Sequence, residues 1–270
     1  MRGNLPGNTV NDPGARKSPQ AGETGAFGGI LPQDREEDLL VEKKYKCPMC
    51  GKTVYHMAVK TKKPIPDGVD IDLHPRYKNI DPIKYHVVEC NKCGYATLDN
   101  DFEFIRNHEK KAVDGALKVS PMALLGEIVR TYDNAYRMYK SAYRISIIKG
   151  VSGSERGLIS LYTAWLLRGW REELSEYENL PGSDEMSEEN EQKYLKYALL
   201  HFNEALSTEP FPIRGLDEGG FYYLLAALNY KLGARKDAIK CLSKTLYSTG
   251  TGTRIRVMAE DLREIIKSDS

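Results

Sequence analysis

CPMCG at residues 47–51 and CNKCG at residues 90–94 decide how the rest of this chain is read. Each sets two cysteines around two residues and follows them with a glycine. In such a knuckle the chain reverses within four residues, so both thiolates converge. The trailing Gly51 or Gly94 permits the positive φ at which backbone amides approach the sulfurs. Two knuckles supply Cys47, Cys50, Cys90 and Cys93, enough to close a tetrahedral sulfur site. The expected occupant is one structural zinc ion, with iron on the same four thiolates as the alternative. A filled shell has no open position for water, so the metal is expected to serve folding rather than catalysis.

Around the knuckles the texture is that of a small β unit, residues 42–100. KTVYHMAVK (52–60) and IKYHVVEC (83–90) are rich in β-branched and aromatic residues and are joined by a loop containing Pro, Asp and Gly. A unit of under about 60 residues has little core of its own, whereas a structural zinc can contribute on the order of 10–16 kcal/mol. Without metal this lobe is expected to unfold. Between Val41 and Leu98 ten lysines and one arginine face six acids, a local excess of +5 in a chain whose formal net charge is +1. The overall balance gives no pull towards nucleic acid or anionic membrane. The basic ribbon could contact phosphates, but Tyr45, Tyr55, Tyr77, Tyr85 and Tyr95 form no stacking motif, so nucleic-acid binding stands as the alternative reading. His56 and His86 lie close to the knuckles and read as strand residues, since four cysteines already complete a shell. His74, His108 and His201 show no spacing of a hydrolytic triad or of HExxH. No catalytic residue is assigned, and an enzyme is not expected.

Residues 1–36 hold seven Gly and four Pro and few large apolar residues, which predicts a disordered tail, with Phe27 to Leu31 as a candidate short motif. The first twenty residues carry no apolar export signal, and no stretch reaches the roughly 18 uncharged apolar residues of a spanning helix. No membrane association is expected. Paired CxxC spacing without a secretion signal places the chain in a reducing cytoplasm.

Residues 101–268 read as helical. Ser120-Pro121 offers an N-cap with Pro at the first helical position, Ser152 with Glu155 a capping box, and Ser187 a cap followed by Glu188 and Glu189. The pattern predicts helices near 101–113, 121–149, 154–177, 187–208, 217–232, 234–247 and 254–267. Ala198, Phe202, Ala205 and Pro210 follow the small–aromatic–small–Pro order of the second helix of a tetratricopeptide hairpin. Leu225, Ala226, Gly233, Ala238 and Leu242 make a second, irregular copy in which Asn229 and Thr245 depart from the pattern. Tyr132, Tyr136, Tyr139 and Tyr143 recur on one helical face, which predicts packing on a neighbouring helix. Cys241 reads as a buried small apolar residue.

These two halves together resemble the bacterial family of domains of unknown function numbered 2225. The residues that carry the likeness are CPMCGK at 47–52, YKNIDPIKYHVVECNKCGYA at 77–96 and FNEALSTEPFPIRGLDEGGFYYLLAALNYKLGARKDAIKCLSKTL at 202–246. The resemblance implies zinc ligation by Cys47, Cys50, Cys90 and Cys93 and implies no activity. The fold expected is α+β and mostly α: a small β zinc-ribbon lobe followed by an antiparallel, tetratricopeptide-like array of helical hairpins. The expected function is that of a zinc-stabilised interaction or scaffold protein with a protein partner. A nucleic-acid-binding ribbon is the second reading, and a hydrolase or transferase with a site between the lobes the third.

Overall fold

A computed structural model describes residues 35–117, 128–175 and 187–269. Nearly all of the tail expected over 1–36 lies outside the described residues, as do the helix start at Ser120-Pro121 and most of the loop before Ser187.

The ribbon is three two-stranded antiparallel hairpins in chain order. β1 (Leu40–Lys46) pairs with β2 (Thr53–Val59), and the first knuckle is their turn. β5 (Val87–Glu89) pairs with β6 (Ala96–Leu98), and the second knuckle is theirs. Between them β3 (Pro66–Val69) pairs with β4 (Pro75–Tyr77). In β2 burial alternates, with Val54, His56 and Ala58 inward and Thr53 and Tyr55 outward, the period-2 pattern of a strand with one covered face. The expected strand at IKYHVVEC begins with a 3₁₀ turn, Pro82–Tyr85, because Asp81 caps Ile83 N and Pro82 fixes the first position.

Among the described residues seven helices follow: α1 (Asn107–Asp114), α2 (Tyr132–Lys149), α3 (Gly153–Ser175), α4 (Glu188–Thr208), α5 (Glu218–Lys231), α6 (Arg235–Tyr247) and α7 (Thr253–Ser268). The fold is α+β and mostly α. Two boundaries correct the sequence pattern. The helix expected over 101–113 starts only at Asn107, after a 3₁₀ turn at Asp99–Asp101. The helix expected over 121–149 has its N-cap at Thr131, whose hydroxyl accepts from Asn134 N at 3.2 Å, and residues 128–131 are not helical. The cap at Ser187 forms as expected, accepting from Asn190 N. At Ser152 the hydroxyl accepts from Glu155 N at 3.4 Å, but the Glu155 side chain turns to Lys149 and Arg214 instead of closing the box.

α3 and α4 form an antiparallel pair, since Gly153 at the start of one meets Ala205 near the end of the other, while Arg168 and Glu191 join the opposite ends. Gly157 lies under the Phe202 ring, so closely that a Cβ would come within 2.5 Å of it. α5 and α6 pair likewise, Thr245 Oγ1 donating to Gly219 O at 3.2 Å. The two residues that depart from the repeat pattern are buried and bond their own backbone: Asn229 Nδ2 donates to Leu225 O, and Thr245 Oγ1 to Cys241 O. α5, EGGFYYLLAALNYK, is apolar nearly all round and buried to match. Its Phe221, Leu224 and Leu225 join a core that extends back to Val54, Val88 and Tyr95 of the ribbon. Its Tyr223, Ala226 and Ala227 join a second core with Ala238, Leu242 and Leu262. Cys241 is half-buried between the two, more exposed than its pattern suggests.

Candidate metal centre

Each knuckle is held by two main-chain hydrogen bonds. In the first, Gly51 N donates to Cys47 O and Cys47 N to Lys52 O, both at 2.9 Å; in the second, Gly94 N donates to Cys90 O and Cys90 N to Tyr95 O, both at 2.8 Å. Gly51 sits at φ 70° and Gly94 at φ 76°, the left-handed region where glycine alone is unstrained. The hairpins bring the knuckles face to face. Cys47 Sγ lies 3.6 Å from Cys93 Sγ, Cys50 Sγ lies 3.6 Å from Cys90 Sγ, and all four sulfurs fall within 4.8 Å of one another. No pair is bonded as a disulfide.

Cys47 and Cys90 are buried, Cys93 is half-buried and Cys50 is exposed, so the cluster has one dry side and one facing water. Four thiols this close cannot titrate independently. The Cys93 thiol donates to Cys47 and, with backbone amides of Cys50 and Met49 adding to it, brings Cys47 down to about 5 against the effect of burial. The same hydrogen bond pushes Cys93 far up, and burial raises Cys90. Of these three Cys47 alone is brought down, and Cys90 and Cys93 hold their protons more tightly; a cation bound among the sulfurs would displace those protons. Behind it the Tyr95 and Phe102 rings pack at 5.4 Å and Tyr45 meets Phe102 edge-on at 5.7 Å.

None of the five histidines belongs to the sulfur cluster. His56 Nε2 bonds Tyr85 O at 2.9 Å, and burial with Arg130 beside it pushes this imidazole down to about 3, so it is neutral. His86 stacks on Tyr162, His74 on Trp165 at 4.6 Å, and His201 bonds the Tyr143 hydroxyl at 3.1 Å. His108 lies on α1, at an exposed position.

The chain matches the family model described as uncharacterized protein conserved in bacteria (DUF2225), over residues 40–266. It belongs to that family. The DUF2225 match runs from the first residue of β1 into α7, so ribbon and helices are covered together. No curated protein and no solved structure matches the chain.

Two groupings in this DUF2225 chain have no local sequence signal. The first is a buried ion network. Arg168 of α3 holds Asp72 through Nη1 and Nη2 at 3.2 and 2.6 Å, Asp70 at 2.8 Å and Glu191 of α4 at 2.8 Å, while Arg171 also bonds Glu191. Arg76 of β4 clamps Glu172 with bonds of 2.7 and 2.9 Å. The second is a cavity beside β2 that Arg130 and Glu89 line.

Proposed function

We propose that the four cysteines hold one structural zinc ion and that the helical part presents a surface to a protein partner in the cytoplasm. The observation that carries the metal reading is the convergence of four sulfurs from two buttressed knuckles. A tetrahedral ion with Zn–S bonds of about 2.3 Å has sulfur edges of about 3.8 Å, and two of the edges here are 3.6 Å. Zinc bound there would fasten β1–β2 to β5–β6. It would carry no substrate, since the four protein ligands leave no position for one.

The partner reading is supported by the paired hairpins α3–α4 and α5–α6 and by large apolar side chains left exposed on the helices, Leu200, Ile239, Tyr247 and Val257. The decisive experiment is metal analysis of untagged protein together with affinity capture from native lysate. Zinc at about one ion per chain and a reproducible partner are expected; stoichiometric iron or no metal would refute the first half, and no reproducible partner the second. One observation favours the nucleic-acid reading. Lys43, Lys44, Lys46 and Lys52 are all exposed along β1 and the first knuckle, and Lys44 sits 5.4 Å over the exposed Tyr55 ring. It predicts salt-sensitive retardation of single-stranded or duplex DNA or RNA.

A further inference from the structure

Between β2, the second knuckle and the first turn of α2 lies a cavity of about 110 Å³. Val54, His56 and Met138 form apolar and aromatic parts of its wall, and two charged groups, Arg130 and Glu89, complete it. The guanidinium is fixed in place. Its Nη1 donates to Lys84 O at 2.9 Å and to Val87 O at 3.2 Å, and its Nη2 to His56 Nδ1 at 3.4 Å. His56 can accept there because its Nε2–H is given to Tyr85 O, which leaves the Nδ1 lone pair free. The Tyr85 ring packs on the guanidinium at 5.3 Å.

These bonds engage three of the five N–H donors of an arginine, and none of the acceptors is a carboxylate. Among the described residues, Arg130 has no carboxylate within 4.0 Å, and the Glu89 carboxyl has neither a cation within that distance nor a hydrogen-bond partner. A cation and a carboxyl thus line one cavity without touching. Withdrawing both from water without pairing them is costly, and a molecule with the opposite charge at each end would remove that cost.

We infer that this cavity binds a small zwitterion, a free α-amino acid of the size of glycine, alanine or serine, with its carboxylate on Arg130 and its ammonium on Glu89. The N-terminus of α2 lies on the arginine side, two residues on from Arg130, and its partial positive charge favours the carboxylate in that orientation. Asn91 adds a side-chain amide to the wall. A 150 Å³ cavity holds the six carbons of benzene, so in proportion the 110 Å³ here suits about four to five heavy atoms, the backbone of a small amino acid with its side chain towards the open rim. Tyr55 and Ile128 at the rim are 61% and 52% exposed, which leaves a way in from solvent.

Calorimetric titration of the full-length, metal-containing protein tests this with glycine, L-alanine and L-serine against acetate, propionate and ethylamine. At least one amino acid is expected to bind about tenfold or more tightly than either single-charge analogue of its size. Glu89→Gln, which keeps the side chain's shape, is expected to weaken that binding about tenfold or more while circular dichroism and metal content stay unchanged. Arg130→Lys should weaken it too, but Arg130 also braces two main-chain carbonyls, so Glu89→Gln is the deciding variant. No binding of any of the three amino acids up to about 10 mM would overturn the inference. So would acetate or propionate binding as well as the amino acids, which would make this an anion site only, and so would undiminished binding to the Glu89→Gln protein.

Discussion

Tyr139 of α2 donates its phenolic hydrogen to the main-chain carbonyl of Ile83, 2.9 Å away, in the 3₁₀ turn that leads to the second knuckle. Seven residues earlier Tyr132 does the same to Asp81 Oδ2 at 2.8 Å. Half of the tyrosine stripe therefore gives its hydroxyls to the ribbon, while the Tyr132 ring also lies against Gly169 of α3. Tyr143 and Tyr136 meet α4 and α3 through Tyr197, Tyr194 and Trp170. The stripe is a seam, one edge on the cysteine-bearing lobe and the other on the hairpins.

Tyr139→Phe removes only the donor. Because the site is fully buried, no water replaces the lost bond, and the expected cost is about 1–2 kcal/mol. Thermal unfolding should shift down by roughly 4 °C. Tyr143→Phe, at a half-buried position on the same helix, should cost less; equal shifts for the two would contradict the seam.

Cys90→Ser takes a buried ligand from the centre and is expected to abolish stoichiometric metal binding, measured by elemental analysis. The loss should not stay local. Cys90, Val88 and Tyr95 share a core with Tyr139, Leu166 and Phe202, so the near-ultraviolet signal of the helical aromatics is expected to weaken as well. Retention of that signal beside complete loss of metal would show that the helices fold independently.

The knuckles and most helix boundaries are legible in the chain because their causes are local: a CxxCG turn, a Ser cap at 187, an apolar face repeating every three or four residues. The start of α2 at Thr131 is not, since a threonine ahead of Tyr132 and Asp133 carries no spacing signal that marks it as the cap. Arg168 and Asp72 are 96 positions apart, and Arg130 and His56 are 74 apart. No spacing rule joins such pairs; the hairpin order does. The same holds for His74 and His86, whose stacking on Trp165 and Tyr162 comes from neighbours on another element.

Gly153→Ala tests the closeness of α3 and α4. A Cβ there would stand 2.6 Å from His201 O and 2.8 Å from Ala205 N, both backbone atoms that cannot swing aside. The helices must separate at that end, at a cost of about 1–3 kcal/mol by overpacking. Gly150, with φ 62° and open space around it, should also be destabilised by alanine, but through backbone strain of about 1 kcal/mol. Denaturant midpoints for the two variants check both numbers.

Asp72→Asn tests the ion network and its pH dependence. Burial alone would raise the Asp72 carboxyl, but the hydrogen bonds and charge of Arg168, with Lys231 at 3.8 Å, outweigh it and hold Asp72 below its ordinary 3.8. Asp70 is likewise lowered despite burial, by His74 at 3.6 Å and by Arg76 and Arg168. Folded values below unfolded ones mean that the unfolded chain takes up protons first as pH falls. The stabilisation is therefore complete above about pH 4, near the unfolded carboxylate value, and is lost as pH drops through the folded values. At pH 7 the variant leaves Arg168 with a weaker partner in a buried place, and a loss of about 3 kcal/mol is expected. Any metal released by acid is common to both proteins, so the quantity to measure is the difference in unfolding free energy between wild type and Asp72→Asn. That difference should hold steady from pH 7 to about pH 5 and narrow below about pH 4, as wild-type Asp72 itself becomes neutral. A gap that stays constant down to about pH 2 would mean that the ionised form of Asp72 adds nothing to the fold.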